Sequence, residues 1–95
     1  MTGMTRSSAG LTSRRRKALY RAWHRGMRET DLILGTFADA EIAAMDDAEF
    51  ALFETLLDQP DAAILGWVTG EAVPPADFDT ALLRRIRAHR AGQAD

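Results

Sequence analysis

Apolar residues recur at helical spacing in five stretches of this chain, separated by short connections rich in polar residues, Gly or Pro. In the first stretch, Leu19 and Trp23 stand four apart with Ala18 and Ala22 beside them. That narrow stripe predicts a helix that Thr12 or Ser13 can cap and that Gly26 breaks. A second helix is predicted over roughly 28 to 43, with Leu32, Ile33, Phe37 and Ile42 turned inward. Gly35 in its middle costs about 1 kcal/mol relative to Ala, so a kink or a close helix approach is expected there. The third helix has the clearest start, because Asp46 can cap its free amides while Glu49 reaches back as a capping-box partner, and Phe50, Phe53, Leu56 and Leu57 form its inward face. Pro60 and Asp61 open a short fourth helix carrying Ile64, Leu65, Trp67 and Val68, and Gly70 closes it as a left-handed cap. The last helix is predicted to start near Pro75, with Phe78, Leu82 and Ile86 four apart along it.

No alternating run of β-branched residues is long enough for a strand. The pattern predicts an all-α fold, a compact five-helix bundle in a single domain. A chain of 95 residues suffices for one domain and not for two. Residues 1 to 12 are small and polar without apolar periodicity and read as a flexible N-terminal tail, 13–91 as the helical domain, and 92–95 as a C-terminal tail. The Arg and Ser content of the first tail resembles a transit peptide, but its shortness favours an untargeted segment.

Composition narrows the chemistry. The sequence contains no cysteine, which removes disulfides, thiolate metal sites and cysteine nucleophiles and fits a reducing compartment. No apolar run approaches the length that crosses a bilayer. The net charge of -2 hides a segregation: residues 1–28 carry eight Lys or Arg and no acid, residues 29–79 carry thirteen Asp or Glu and no base, and residues 80–95 carry four Arg and one Asp. Either an electrostatically steered contact with a partner or basic and acidic helices packed side by side within the chain accounts for this, and the second is favoured.

Candidate catalytic groups are scarce. His24 and His89 lie on separate helices without ligand or triad spacing, Asp46 and Asp47 fit a helix start, and no Gly-rich phosphate loop is present. No catalytic and no metal-binding residue is assigned. One segment stands out, Arg25-Gly26-Met27-Arg28-Glu29-Thr30-Asp31. Its charges suit the ends of the two flanking helices and Gly26 suits a positive φ, so every residue has a structural reason to be there. The same turn also displays both signs of charge around a residue without a side chain, a shape that a partner backbone can approach closely.

The stretch Tyr20-Arg21-Ala22-Trp23-His24-Arg25-Gly26-Met27-Arg28-Glu29-Thr30-Asp31 resembles the start of the SdhE family of succinate dehydrogenase assembly factors, whose signature is Arg-Gly-x-x-Glu. Leu32 with Gly35 and Phe37 looks like that family's second helix, and Leu56-Leu57 ahead of Asp61, then Trp67 and Gly70, look like its third and fourth. The resemblance covers residues 14 to about 89. Thr30 departs from it where the family more often has an aliphatic residue, as do Ala62 and Ala63 where the family is more acidic.

The resemblance implies a five-helix FAD assembly factor, not an enzyme, that binds the flavoprotein subunit of succinate dehydrogenase or fumarate reductase and promotes its covalent flavinylation. It implies partner contacts at Arg25, Gly26, Arg28, Glu29 and Asp31, and no stably bound cofactor because the client carries the FAD. A monomer when free is expected, the lack of a long apolar run argues against membrane insertion, and the short first tail favours a bacterial cytoplasmic setting over a mitochondrial matrix. The competing readings are a nucleic-acid binder gripping phosphates with Arg14, Arg15, Arg16 and Lys17, assisted by Arg84, Arg85, Arg87 and Arg90, and an antitoxin-like regulatory partner.

Overall fold

The structure, a computed structural model, describes residues 10–92. Helix α1 spans Ser13–Trp23, α2 Arg28–Glu41, α3 Asp47–Leu57, α4 Asp61–Thr69 and α5 Ala81–Gly92, with a 3-10 turn at Ala76–Phe78. There is no strand among the described residues. Helix α2 is the hub and packs against α1, α4 and α5, while α3 closes against α1 and α5. Residues 1–9 and 93–95 of the two expected tails lie outside the described residues. At the inner end of the first, Leu11 is buried in the core, so the ordered chain begins before residue 13.

Local chemistry places most of the boundaries. The Thr12 hydroxyl accepts from the Arg15 amide at 3.2 Å to start α1, and an Asp46 oxygen accepts from the Glu49 amide at 2.7 Å to start α3. Gly70 ends α4 at φ +87, where a side chain would meet its own backbone. Two expectations are corrected. The Glu49 carboxylate does not complete a capping box, because it pairs with Arg85 of α5 instead. The last helix begins at Ala81 rather than near Pro75: Pro75 opens only the 3-10 turn, and Thr80 then caps α5 by accepting from the Leu83 amide at 3.3 Å.

The core follows the predicted stripes. Ala18, Leu19, Ala22 and Trp23 of α1 are buried, as are Phe50, Phe53, Leu56 and Leu57 of α3 and Ile64, Trp67 and Val68 of α4. Trp67 stacks on Phe78 with ring centroids 5.1 Å apart. Leu32 departs from expectation, being 42% exposed, because the inward stripe of α2 runs through Ile33, Leu34, Phe37 and Ala38 and leaves Leu32 beyond its edge.

Gly35 marks a close helix approach. Its α-carbon faces the indole of Trp23, and a Cβ at that position would overlap the ring. Gly35→Ala is therefore expected to lower stability by about 1–3 kcal/mol, since displacing a buried indole outweighs the roughly 1 kcal/mol that Ala contributes to helix propensity. A thermal melt checks the sign: the midpoint falls for Ala here, whereas a glycine with free space around it would give a rise.

Charge segregation is resolved inside the chain. Arg14 pairs with Glu54, Arg21 with Asp58 at 2.6 Å, Arg25 with Asp61 at 2.5 Å, and Arg85 with both Glu41 and Glu49. Arg15 donates to the carbonyls of Ile42 and Met45, both at 2.7 Å, and ties the α2–α3 connection to α1. Hydrogen bonding to Glu49 holds the Arg85 guanidinium above its ordinary pKa, as Glu54 does for Arg14. The basic first helix and the acidic third pack side by side on the shared core with their charges paired at the surface.

Candidate functional site

The turn between α1 and α2 is built from both its ends. Past Trp23 the chain leaves the helix at His24, and Gly26 carries it round at φ +103. A residue with a Cβ is strained at that angle, so only glycine reverses the chain here without cost. The Asp31 carboxylate accepts from the Arg25 amide at 2.7 Å and closes the turn from the α2 side.

Arg25 holds the turn against the rest of the fold. Its side chain is only 10% exposed, and its fork donates to Asp61 at 2.5 Å through Nε, to the Leu57 carbonyl at 2.6 Å and to the Gln59 carbonyl at 2.5 Å. Three acceptors, from the end of α3, the connection after it and the start of α4, take its donors, a geometry that a planar guanidinium fills and an ammonium cannot. The fork thus fastens the α1–α2 turn to the α3–α4 turn. Arg25 and Asp31 are consequently engaged within the chain, while Gly26, Arg28 and Glu29 stand exposed.

Around Gly26 the surface is open. Nothing lies within 4 Å of where a Cβ would sit. Neither Arg28 nor Glu29 has an ion pair among the described residues, in contrast to Arg21 and Arg25 a turn away. The first turn of α2 has no side-chain cap, since Met27 precedes it and offers no acceptor. Thr30 sits directly beneath, fully buried, with its hydroxyl donating to the Met27 carbonyl at 3.1 Å. That bond gives the buried polar group a partner where an aliphatic side chain would only pack.

The corner therefore presents exposed backbone, one cation and one anion on a rigid base. It has no nucleophile with an adjacent base, and no three His, Asp or Glu residues are grouped to hold a metal among the described residues. What it can do is admit another backbone closely and make charge-assisted hydrogen bonds with it. The sequence pattern leaves one neighbour of this corner without a role: Tyr20 is 58% exposed and its ring stacks on His24. The spacing of four between them, outside the buried stripe, is the signal that carries this pair.

The cations invoked for phosphate gripping are largely committed elsewhere. Arg14 and Arg85 face carboxylates, Arg15 faces two carbonyls, and Arg87 donates to the Trp67 carbonyl at 2.9 Å at the end of α4. No helix among the described residues is long and apolar enough to cross a membrane.

Residues 16–90 match the family model described as flavinator of succinate dehydrogenase. Similar proteins include the mitochondrial succinate dehydrogenase assembly factor 2 of Dictyostelium discoideum, 37% identical over 75 residues that make up 79% of this chain and 53% of that protein. The FAD assembly factor SdhE of Acetobacter pasteurianus is 37% identical over 76 residues, 80% of this chain and 70% of that protein. A mitochondrial succinate dehydrogenase assembly factor 2 of Cryptococcus neoformans is 42% identical over 76 residues, 79% of this chain and 43% of that protein. The chain thus spans about half the length of these mitochondrial relatives and 70% of the bacterial one.

Proposed function

The chain belongs to the family of flavinators of succinate dehydrogenase, and from that premise we propose that it binds the flavoprotein subunit of succinate dehydrogenase and promotes covalent attachment of FAD to it. The observation that carries the reading is the open corner at Gly26, held rigid by Arg25 from beneath and bordered by Arg28 and Glu29 without internal partners. The fumarate reductase flavoprotein is a second client of the same kind.

The helper acts without a catalytic residue of its own. The reacting nucleophile is a client histidine and the FAD is the client's, so the chain holds no stably bound cofactor. Docking favours the client conformer in which histidine and flavin are close and oriented, and fixing two reacting groups removes several kcal/mol of entropic barrier. For that, the chain binds the competent conformer better than the other, by about 1.4 kcal/mol for each tenfold shift in population. Gly26 lets the client backbone approach, Arg28 and Glu29 make the charged hydrogen bonds, and Arg25 and Asp31 keep the turn in shape. The free chain is a monomer that works in the bacterial cytoplasm, binds no nucleic acid and does not insert into membranes.

A pull-down with flavin detection tests this. The tagged chain, added to apo flavoprotein subunit with FAD, is expected to co-purify with it and to raise the flavin fluorescence that stays with the denatured subunit. Equal fluorescence with and without the chain, and no co-purification, would refute the proposal.

A further inference from the structure

Helix α1 contains no acidic residue, and four of its five cations, Arg14, Arg15, Arg16 and Arg21, have partners within the chain. Arg14 and Arg21, seven apart, turn toward carboxylates of the neighbouring acidic segment. Beside them at the exposed edge of the same face, Lys17, Tyr20 and His24 are spaced by three and four and form a stripe that ends at the Gly26 turn. Lys17 has no ion pair among the described residues.

The aromatic part of this stripe is ordered before any partner arrives. The Tyr20 and His24 rings stack with centroids 3.9 Å apart and planes 15° from parallel. His24 Nδ1 lies 2.8 Å from the Tyr20 carbonyl oxygen, and since a carbonyl only accepts, Nδ1 carries the proton and Nε2 is left to face outward. Two rotamers are thus already fixed, so a partner that lands here loses little side-chain entropy in ordering them. A solvated tyrosine contributes nothing to the core, yet a tyrosine in a preorganised exposed stack has the profile of a contact anchor.

We propose that the Lys17–Tyr20–His24 stripe is a second contact surface, continuous with the Gly26 turn, that receives an acidic segment of the client flavoprotein. The charge chooses the partner: a stripe with an unpaired cation and no anion on its own helix attracts carboxylates. The Tyr20–His24 stack supplies the apolar anchor, and Lys17 supplies steering. This inference rests on the function proposed above.

The test uses the full chain and the purified flavoprotein subunit, with affinity measured by calorimetry at two salt concentrations. Tyr20→Ala and Lys17→Glu are expected to weaken binding about tenfold each. Tyr20→Phe, which keeps the stack, is expected to bind as the unaltered chain does. Lys17→Glu should also flatten the salt dependence. Both positions are exposed, so thermal melts serve as the control for folding. Normal client affinity for Tyr20→Ala and Lys17→Glu, with binding lost in Gly26→Arg, overturns the stripe and leaves the docking function standing. Failure of the unaltered chain to bind the client overturns both. Binding to phosphatidylserine vesicles or duplex RNA that Lys17→Glu abolishes, beside unchanged client affinity, assigns the stripe to another partner and overturns the proposal.

Discussion

Gly26→Arg is expected to leave the chain folded and to eliminate its effect on client flavin attachment, with client affinity down at least about a hundredfold, near 2.7 kcal/mol. The loss has two separable parts. Any L-residue at φ +103 strains the backbone, by about 1–2 kcal/mol, and Ala and Arg share that cost. Nothing in the chain lies within 4 Å of the new Cβ, so the added bulk of Arg costs the fold nothing further. The two variants should therefore melt together, a few degrees below the unaltered chain. In client binding they should separate, Ala retaining most of the affinity and Arg almost none, because only the larger side chain occupies space that the partner needs. Equal client affinity for Ala and Arg would show that no partner comes close at Gly26.

Arg25→Ala is expected to have the larger effect on stability. It leaves the Asp61 carboxylate, 17% exposed, without its cation and the carbonyls of Leu57 and Gln59 without their donors. Breaking a fully buried pair costs about 3–5 kcal/mol, and with residual solvent at both partners about 2–4 kcal/mol is expected here. Arg25→Lys keeps the charge opposite Asp61 but not the fork, so roughly half of that loss should remain. A double-mutant cycle with Asp61→Ala measures the coupling: a clamp gives an interaction energy of one or more kcal/mol in the melt. Were Arg25 instead a residue that touches the client, the melt would hardly move while client affinity collapsed. Because the clamp sets the turn, flavin yield should fall in Arg25→Ala even below its melting range, and recover in part in Arg25→Lys.

The distinction between Arg25 and its neighbours is the part of the site that a linear reading misses. Arg25, Gly26, Arg28, Glu29 and Asp31 stand together in the sequence as one charged turn, and the resemblance treats them alike. In three dimensions they divide, because the acceptors of Arg25 come from residues 57 to 61, more than thirty positions along the chain. Glu49 illustrates the same limit: its spacing from Asp46 completes a local capping pattern, but Arg85, 36 positions away, takes its carboxylate. Where the determinant is local, the structure follows the pattern. Asp46 starts its helix through its carboxylate, Gly70 ends its own because it lacks a side chain, and the glycine of α2 stands where an indole needs room. Where two local signals compete, the stronger cap prevails, as Thr80 does over Pro75 at the start of α5. Along α2, Ile33, Phe37 and Ile42 are buried as their spacing predicts, but a helix advances 100° per position, so Leu32 falls outside the stripe and Leu34 inside it.

The central claim is that the backbone corner between α1 and α2 is the surface the client covers. Amide hydrogen exchange of the free chain and of its complex with apo flavoprotein subunit tests it most directly, since the first amides of α2 have no acceptor from an N-cap side chain. Slower exchange over residues 24 to 32 in the complex, with little change along α5, is the result the account predicts. Unchanged exchange across that corner, with protection appearing elsewhere on the bundle, would contradict it.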